Sequence, residues 1–250
     1  MTHNNTTHTA MILAAGLGSR LKPWTNHHPK ALAIVNGKSL LQRNIEYLQL
    51  YGITQVVVNV HHFAQQIIDA VQANNGWGST ITISNELNEV LETGGGLLYA
   101  QKHLAHSNQF VLMNCDILTT LNLQHMLTTH NHTKALATIA IAQRNSSRQL
   151  LFNNNLNLVG WANTATNEIK LTGHNHLAPH EQPQQFAFSG IHVIDSNIFN
   201  LLTLTGKFSM IDAYLSLCNT QLIQGYNHSN DIVLDVGKPE AIAQAELLFA

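Results

Sequence analysis

Charge is scarce in this sequence. Charged residues make up 10% of its 250 residues, against about a quarter in ordinary soluble domains. Lys and Arg together number 12 against 14 Asp and Glu, which gives a net charge of −2. A chain without a basic excess lacks the electrostatic surface that binds nucleic acid or anionic membranes. We therefore expect neither a nucleic-acid partner nor membrane association.

Cysteine and long apolar runs are scarce as well. Cys115 and Cys218 lie far apart and outside any C-x-x-C spacing, which argues against a disulfide scaffold and against a structural zinc site. No apolar run approaches the roughly 18–20 residues that cross a bilayer. The segment from Met1 to Thr9 is polar and lacks the features of a signal peptide. The expected location is cytoplasmic.

Amides and histidines supply the polarity that charged residues do not. The sequence holds 27 Asn, 17 Gln and 16 His. Some histidines are adjacent, as in His27-His28 and His61-His62. Because histidine is abundant throughout the chain, we interpret these pairs as solvated polar residues and not as metal ligands.

Apolar runs rich in β-branched residues alternate with segments of helical periodicity. The runs predict strands at 10–14, 55–60, 80–84, 110–113 and 137–142, with helices between them, one of which we expect at Leu97–Leu104 after a glycine triplet. Residues 144–194 are instead rich in short alternating runs, and a last strand is expected at 232–236 before a closing helix. This order predicts an α/β fold: a Rossmann-like open, mostly parallel sheet with helices on both faces and a small β-rich insert.

A glycine-rich loop follows the first predicted strand. It reads LAAGLGSRLKP from Leu13 and continues to PKAL, ending at Leu32. Glycines after a strand let backbone N–H groups approach a phosphate. A dinucleotide-binding fingerprint would need a glycine where Leu21 stands, and a Walker A loop ending at Gly37-Lys38-Ser39 would need one where Leu32 stands. What remains is a phosphate-binding loop followed by two cations, Arg20 and Lys30.

The stretch from Leu13 to Leu32 resembles the signature of the sugar-1-phosphate nucleotidyltransferases, L-A-A-G-x-G-[ST]-R-[LM]-x-P-x-T-x-x-x-P-K-x-L. Glu92–Gly96 (ETGGG) resembles the branch that contains mannose-1-phosphate and manno-heptose-1-phosphate guanylyltransferases and N-acetylmuramate-1-phosphate uridylyltransferase. Phe188–Ile191 (FSGI) and Leu234–Gly237 (LDVG) resemble two further segments of that family. Cys115 stands where relatives have Gly, and Leu234 where they have Trp.

The resemblance implies roles for individual residues. Nucleotide binding is implied for Leu13, Ala14, Ala15, Gly16, Gly18, Ser19, Arg20, Gly94 and Gly95. Arg20 and Lys30 are the implied catalytic cations, and Asp116 and Asp235 the implied ligands of a Mg²⁺ cofactor. On the sugar side we expect the substrate to be bound by Asn163, Ser189, Gly190 and Arg148. Arg148 would take the place of a second sugar-site lysine that longer relatives keep.

The resemblance implies one nucleotidyltransferase domain over residues 1–250. Its nucleotide half spans about 10–143, its sugar-side β-rich part about 144–194, and its closing helices and last strand about 195–250. The segment Arg148–Gln185 is expected to form the sugar side of the cleft and to close over it as a lid.

The expected reaction transfers a nucleotidyl group from a nucleoside triphosphate to a sugar 1-phosphate, releasing pyrophosphate and supplying nucleotide sugar for cell-envelope polysaccharide. GTP with a manno-configured sugar is favoured. Alternatives are uridylyl transfer to N-acetylmuramate 1-phosphate or a related sugar, and a non-catalytic module that binds nucleotide sugars. Asp116 and Asp235 have an alternative of their own, as N-caps of the helices that follow them.

Overall fold

The computed structural model of the chain describes residues 9–87, 89–173 and 176–249. The strands are β1 (Thr9–Leu13), β2 (Ile34–Val35), β3 (Lys38–Ser39), β4 (Gln55–Val60), β5 (Thr80–Asn85), β6 (Gln109–Asn114), β7 (Ile117–Thr119), β8 (Ala137–Ala142), β9 (Arg148–Phe152), β10 (Leu158–Asn163), β11 (Glu168–Leu171), β12 (Gln184–Asp195), β13 (Ile223–Asn227) and β14 (Val233–Asp235). The α-helices are α1 (Leu40–Gln49), α2 (Ala64–Ala73), α3 (Glu92–Tyr99), α4 (Gln101–Leu104), α5 (Leu123–Thr133), α6 (Ile198–Leu201), α7 (Met210–Leu217) and α8 (Pro239–Leu248).

The central sheet has the strand order β5-β4-β1-β6-β12-β8-β13. Neighbouring strands are parallel except where β12 pairs with β6 and with β8. The first part of β12 also pairs with β9, which begins the antiparallel order β9-β10-β11. The predicted mostly parallel sheet with a β-rich insert is therefore confirmed.

Helices cover both faces of the sheet, as predicted. Alternate residues of β1 point to opposite sides: Ala10 and Ile12 pack with the helices α1, α2 and α5, whereas Met11 and Leu13 pack with α3, α4, α6 and α7. The continuous apolar run of β4 (QVVVNV) suits a strand that is buried on both faces. The hydroxyl of Ser39 accepts the N–H of Gln42 and caps α1.

A third apolar cluster lies beside the main sheet. Helix α8 packs there against the hairpin formed by β2 and β3 and against Leu21, Leu118 and Val236. Strand β14 pairs with β7 in an antiparallel ladder next to this cluster. The end of the described chain is thereby held against the segment that follows the first strand.

The structure corrects two sequence expectations. The glycine triplet does not precede a helix at Leu97–Leu104 but lies inside α3, where Gly94 and Gly95 pack closely against the segment 206–208. The last strand, expected at 232–236 in the mostly parallel sheet, is the short strand β14, which ends at Asp235 and pairs antiparallel with β7 outside the central sheet. Strands β2, β3, β7 and β13 were not predicted.

Part of the expected lid loop lies outside the described residues, namely His174 and Asn175. None of the helices in the described part of the chain is long and apolar enough to cross a membrane.

Candidate active site

The loop after β1 folds back on itself. Gly18 has φ +62°, and a Cβ added to it would lie 2.9 Å from Thr25 Cγ2 and 3.0 Å from Lys30 Cβ. The hydroxyl of Thr25 donates a hydrogen bond to the Gly18 carbonyl at 2.9 Å. A side chain at position 18 would therefore be strained and crowded. Glycine at this position brings Lys30 close to the glycine loop.

Two cations of this loop form ion pairs with the two predicted metal ligands. Lys30 Nζ contacts the carboxylate of Asp116 in a pair that is largely buried. Arg20 Nη2 lies 3.3 Å from Asp235 Oδ2 in a pair that is half exposed. Burial lowers the pKa of Lys30, but the neighbouring carboxylates of Asp116 and Asp235 outweigh that effect and leave the pKa raised. Lys30 is therefore a stable cation at neutral pH.

The pairing of β7 with β14 brings the two carboxylates to the same place. Asp235 lies opposite Ile117 in this ladder, and the N–H of Val236 donates to the Asp116 carbonyl at 2.8 Å. The helix-cap alternatives are wrong for both residues. The cap of α5 is Asn122, whose Oδ1 accepts an N–H at 3.1 Å, and α8 begins after Lys238 without a side-chain cap.

A cavity of about 360 Å³ lies on one side of the Lys30–Asp116 pair. Of the predicted nucleotide-binding residues, it is lined by Leu13, Ala14, Ala15 and Gly16. Glu92 and Thr93, at the start of α3, also line it. A pocket of this size, with a few convergent polar groups and a fixed cation, is typical of a small-molecule site.

Gly94 and Gly95 take a different position from the one expected. Their N–H groups both donate to the carbonyl of Phe208, at 2.9 and 3.1 Å. A Cβ on Gly94 would lie 2.4 Å from the Phe208 ring, and one on Gly95 would lie 2.2 Å from the Gly206 carbonyl. The described lining of the 360 Å³ cavity does not include them. They hold α3 against the segment 206–208, and their contact with a base stays a prediction.

A wider cleft of about 1180 Å³ is lined by the Arg20–Asp235 pair. The β-rich insert contributes Arg144, Arg148 and Trp161 to its lining. Arg144 Nη2 donates to the Phe188 carbonyl at 2.6 Å, which fixes its guanidinium at the base of the insert. The wider cleft is therefore lined by cations from both the glycine loop and the insert.

The structure does not bring all predicted sugar-side residues to this cleft. Arg148 lines it, but Asn163 is absent from the described lining, and its Oδ1 accepts the Ala165 N–H at 3.0 Å within a turn. The Ser189 hydroxyl is buried 2.8 Å from His228 Nε2. Gly190 has φ +78° and packs against Ile117. Sequence reasoning also missed Arg144.

A family model described as "Nucleotidyl transferase" matches residues 9–150, which is more than half of the chain. The chain belongs to the nucleotidyl transferase family. The N-acetylmuramate alpha-1-phosphate uridylyltransferase of Caulobacter vibrioides is 42% identical over 104 residues, covering 41% of this chain and 43% of the relative. This chain therefore aligns with less than half of that relative's length.

Two other similarities extend over nearly all of the chain. The D-glycero-alpha-D-manno-heptose 1-phosphate guanylyltransferase of Aneurinibacillus thermoaerophilus is 25% identical over 240 residues, covering 95% of this chain and 96% of the relative. The crystal structure of HddC from Yersinia pseudotuberculosis, complexed with GMP-PN, superimposes with a TM-score of 0.77 at 23% identity, covering 97% of this chain and 100% of that chain. The structural likeness supports the nucleotidyl transferase fold.

The family site contains a pair of buried residues that sequence reasoning missed, Asn59 and Glu86. The N–H of Ala14 donates to Asn59 Oδ1 at 2.7 Å, and Asn59 Nδ2 donates to Glu86 Oε1 at 2.7 Å. A polar residue within the apolar strand β4 was the available sequence signal for Asn59. Cys115 lies next to Asp116, and burial raises the pKa of its thiol to about 12.

Proposed function

We propose that this protein transfers a nucleotidyl group from a nucleoside triphosphate to a sugar 1-phosphate, giving a nucleotide sugar and pyrophosphate. The observation that carries the proposal is that each of two cavities is lined by one cation–carboxylate pair, Lys30–Asp116 in the first and Arg20–Asp235 in the second. The 360 Å³ cavity lies against the glycine loop, and the wider cleft lies against the insert. We assign the first to the triphosphate and the second to the sugar phosphate.

The reaction needs no general base. A sugar 1-phosphate oxygen attacks the α-phosphorus, and the bond between that phosphorus and the oxygen bridging to the β-phosphorus breaks as pyrophosphate leaves. The attacking phosphate is already anionic at neutral pH, since its second pKa is about 6. The barrier lies in bringing anions together in line, which positioned cations lower. Lys30 supplies a cation beside the glycine loop, and Arg20 supplies one at the wider cleft.

The donor set fits Mg²⁺. This ion prefers one or two carboxylates together with water and substrate oxygens, and Asp116 and Asp235 are brought together by the β7–β14 ladder. When bound, Mg²⁺ would neutralise charge on the phosphate oxygens. Lys30 and Arg20, which now pair with these carboxylates, would then be free to contact phosphate oxygens.

The metal assignment has a direct test. EDTA is expected to abolish pyrophosphate release and added Mg²⁺ to restore it, because neutralisation of the phosphates depends on the ion. Asp116→Asn should lose most of the activity and remain folded, although loss of one partner of the largely buried Lys30–Asp116 pair is expected to lower its melting temperature. Asp69→Asn, on the exposed surface of α2, is the matched control. Full activity in EDTA would remove the metal from the proposal.

For the donor we propose UTP ahead of GTP. Identity to the Caulobacter uridylyltransferase, 42%, exceeds identity to the heptose-phosphate guanylyltransferase, 25%, although over a shorter alignment. The sequence expectation of GTP with a manno-configured sugar is not confirmed and stays the competing prediction. For the acceptor we propose N-acetylmuramate 1-phosphate or a related sugar 1-phosphate.

A pyrophosphate-release assay with four nucleoside triphosphates and a panel of sugar 1-phosphates tests the whole proposal. We expect turnover with UTP and at least one sugar 1-phosphate. Turnover with GTP and a manno-configured sugar would select the competing donor. Binding of nucleotide sugar without pyrophosphate release under any combination would select the non-catalytic module. That module has no need of a metal-binding pair such as Asp116 and Asp235.

A further inference from the structure

Three hydrogen bonds run in series beside the 360 Å³ cavity, and Asn59 of this series also lines the cavity. The N–H of Ala14 donates to Asn59 Oδ1 at 2.7 Å, Asn59 Nδ2 donates to Glu86 Oε1 at 2.7 Å, and the N–H of Leu91 donates to Glu86 Oε2 at 3.0 Å. Asn59 and Glu86 are each only 2% exposed. The series joins the start of the glycine loop to the segment just before α3.

The chemistry of this series requires a carboxylate at position 86. Both oxygens of Glu86 accept a hydrogen bond, one from Asn59 and one from the Leu91 N–H. An amide at this position would offer only one acceptor, so one of the two donors would lose its partner. In the described part of the chain no basic side chain forms an ion pair with Glu86. Both carboxyl oxygens of this buried side chain are therefore held by hydrogen bonds to neutral groups, and a buried polar group needs such partners.

The third glycine of the triplet makes room for this pair. A Cβ on Gly96 would lie 2.6 Å from Glu86 Oε1 and 2.8 Å from Asn59 Nδ2. Gly94 and Gly95 are glycines for a different reason, since they pack against Phe208 and Gly206. Glycine at position 96 therefore allows α3 to pack closely against the Asn59–Glu86 pair.

We propose that Asn59 and Glu86 are positioning residues for the nucleoside triphosphate. Through Ala14 they fix the start of the glycine loop, and through Leu91 they fix the segment that leads into Glu92 and Thr93, which also line the cavity. The relative position of these two lining segments is therefore set by the Asn59–Glu86 pair. The inference rests on the triphosphate site of the proposed function and is independent of the sugar.

Single substitutions in the pair should weaken triphosphate binding selectively. In Glu86→Gln one buried donor loses its acceptor, and Asn59→Asp places two carboxylates in contact. Because one buried hydrogen bond is lost, we expect the Kd and KM for Mg–UTP to rise about tenfold. The KM for the sugar 1-phosphate should change less than about twofold. Gly96→Ala should behave like the single variants.

The double variant Asn59→Asp/Glu86→Gln separates positioning from simple loss of stability. The new carboxylate at position 59 would accept from Ala14 with one oxygen and from the new amide at position 86 with the other. The oxygen of that amide would accept from Leu91. All three hydrogen bonds of the series are then restored, but residue 86 donates to residue 59 instead of accepting from it. We expect the Kd for Mg–UTP to return to within about threefold of the wild type.

Thr138→Val is the matched control, because it removes a buried hydrogen bond to His130 Nδ1 in a different part of the sheet. It should lower the melting temperature without changing the Kd for Mg–UTP. The proposal is overturned if the single variants lose stability with an unchanged Kd, if both KM values rise equally, or if the double variant does not recover.

Failure of the proposed function has a different signature. If the wild type binds Mg–UTP or Mg–GTP in calorimetry but releases no pyrophosphate with any sugar 1-phosphate, the activity is wrong, and the Kd series with the nucleotide that binds still decides the role of the pair. If neither nucleotide binds, the triphosphate site and the positioning role are both overturned.

Discussion

The glycine-loop side of the active site and the β-rich insert are built in opposite ways. On the first side, the Lys30–Asp116 pair and the Asn59–Glu86 pair are buried and closed by partners within the protein. In the insert, all four residues of β11 are exposed, and Arg148 lies on an open wall. Buried polar groups tolerate little displacement, whereas exposed ones adapt. The contrast suits a fixed geometry for phosphate chemistry beside a more adaptable wall for the acceptor.

Loss of the Lys30 cation is expected to have the largest effect. Lys30→Ala should lower turnover by about 100-fold or more, because charge stabilisation in the transition state is lost. Arg20→Ala should act in the same direction. Lys102→Ala, an exposed lysine on α4, serves as the control. Steady-state kinetics checks the prediction, and near-wild-type turnover in the Lys30 variant would end the idea that this side carries the chemistry.

Close packing on the same side predicts a stability effect. A Cβ at Gly95 meets the Gly206 carbonyl at 2.2 Å, so Gly95→Ala should destabilise the fold by about 1–3 kcal/mol. Gly16→Ala is the contrasting variant, because its added Cβ meets nothing within 4 Å. Thermal or urea unfolding should therefore separate the two variants. Equal melting temperatures would show that the segment 206–208 moves away from the added Cβ without a loss of stability.

The insert should respond differently. Arg148→Gln is expected to raise the KM for sugar 1-phosphate by about tenfold with little change in the KM for the triphosphate, since a charge-assisted contact is lost. Asn163→Ala, first expected to have this effect, should now be near neutral, because its side chain shapes a turn. A larger effect of Asn163 than of Arg148 on the KM for sugar 1-phosphate would reverse the assignment.

The smallest effect is expected at Cys115, although it lies beside Asp116. Burial raises the pKa of its thiol to about 12, so the reactive thiolate is nearly absent at pH 8. Iodoacetamide at that pH should leave pyrophosphate release unchanged, with Cys115 unmodified by mass spectrometry. Rapid alkylation at Cys115 would mean that this side of the site opens to solvent.

Local sequence patterns predicted the sheet and most helices because strand and helix periodicities are local properties. The glycine loop with Arg20 and Lys30 could also be predicted, since its residues lie in one continuous stretch of the sequence. The misjudged features depend on distant partners. Gly94 packs against Phe208, the Ser189 hydroxyl contacts the buried His228 ring, and Asp235 reaches its place through a ladder with Ile117. The residues that lie next to each of these positions in the sequence do not indicate the distant partner.

Strand β12 belongs both to the β-rich insert and to the central sheet. Its early residues pair with β9 of the insert, and its late residues pair with β6 of the central sheet, without a linker between them. The ladder with β8 is irregular between Phe188 and His192, where Gly190 has φ +78°. The insert is therefore joined to the central sheet by one continuous backbone, and the register changes at this joint. Gly190, at the joint, packs against Ile117, so the connection between insert and sheet lies one residue away from Asp116.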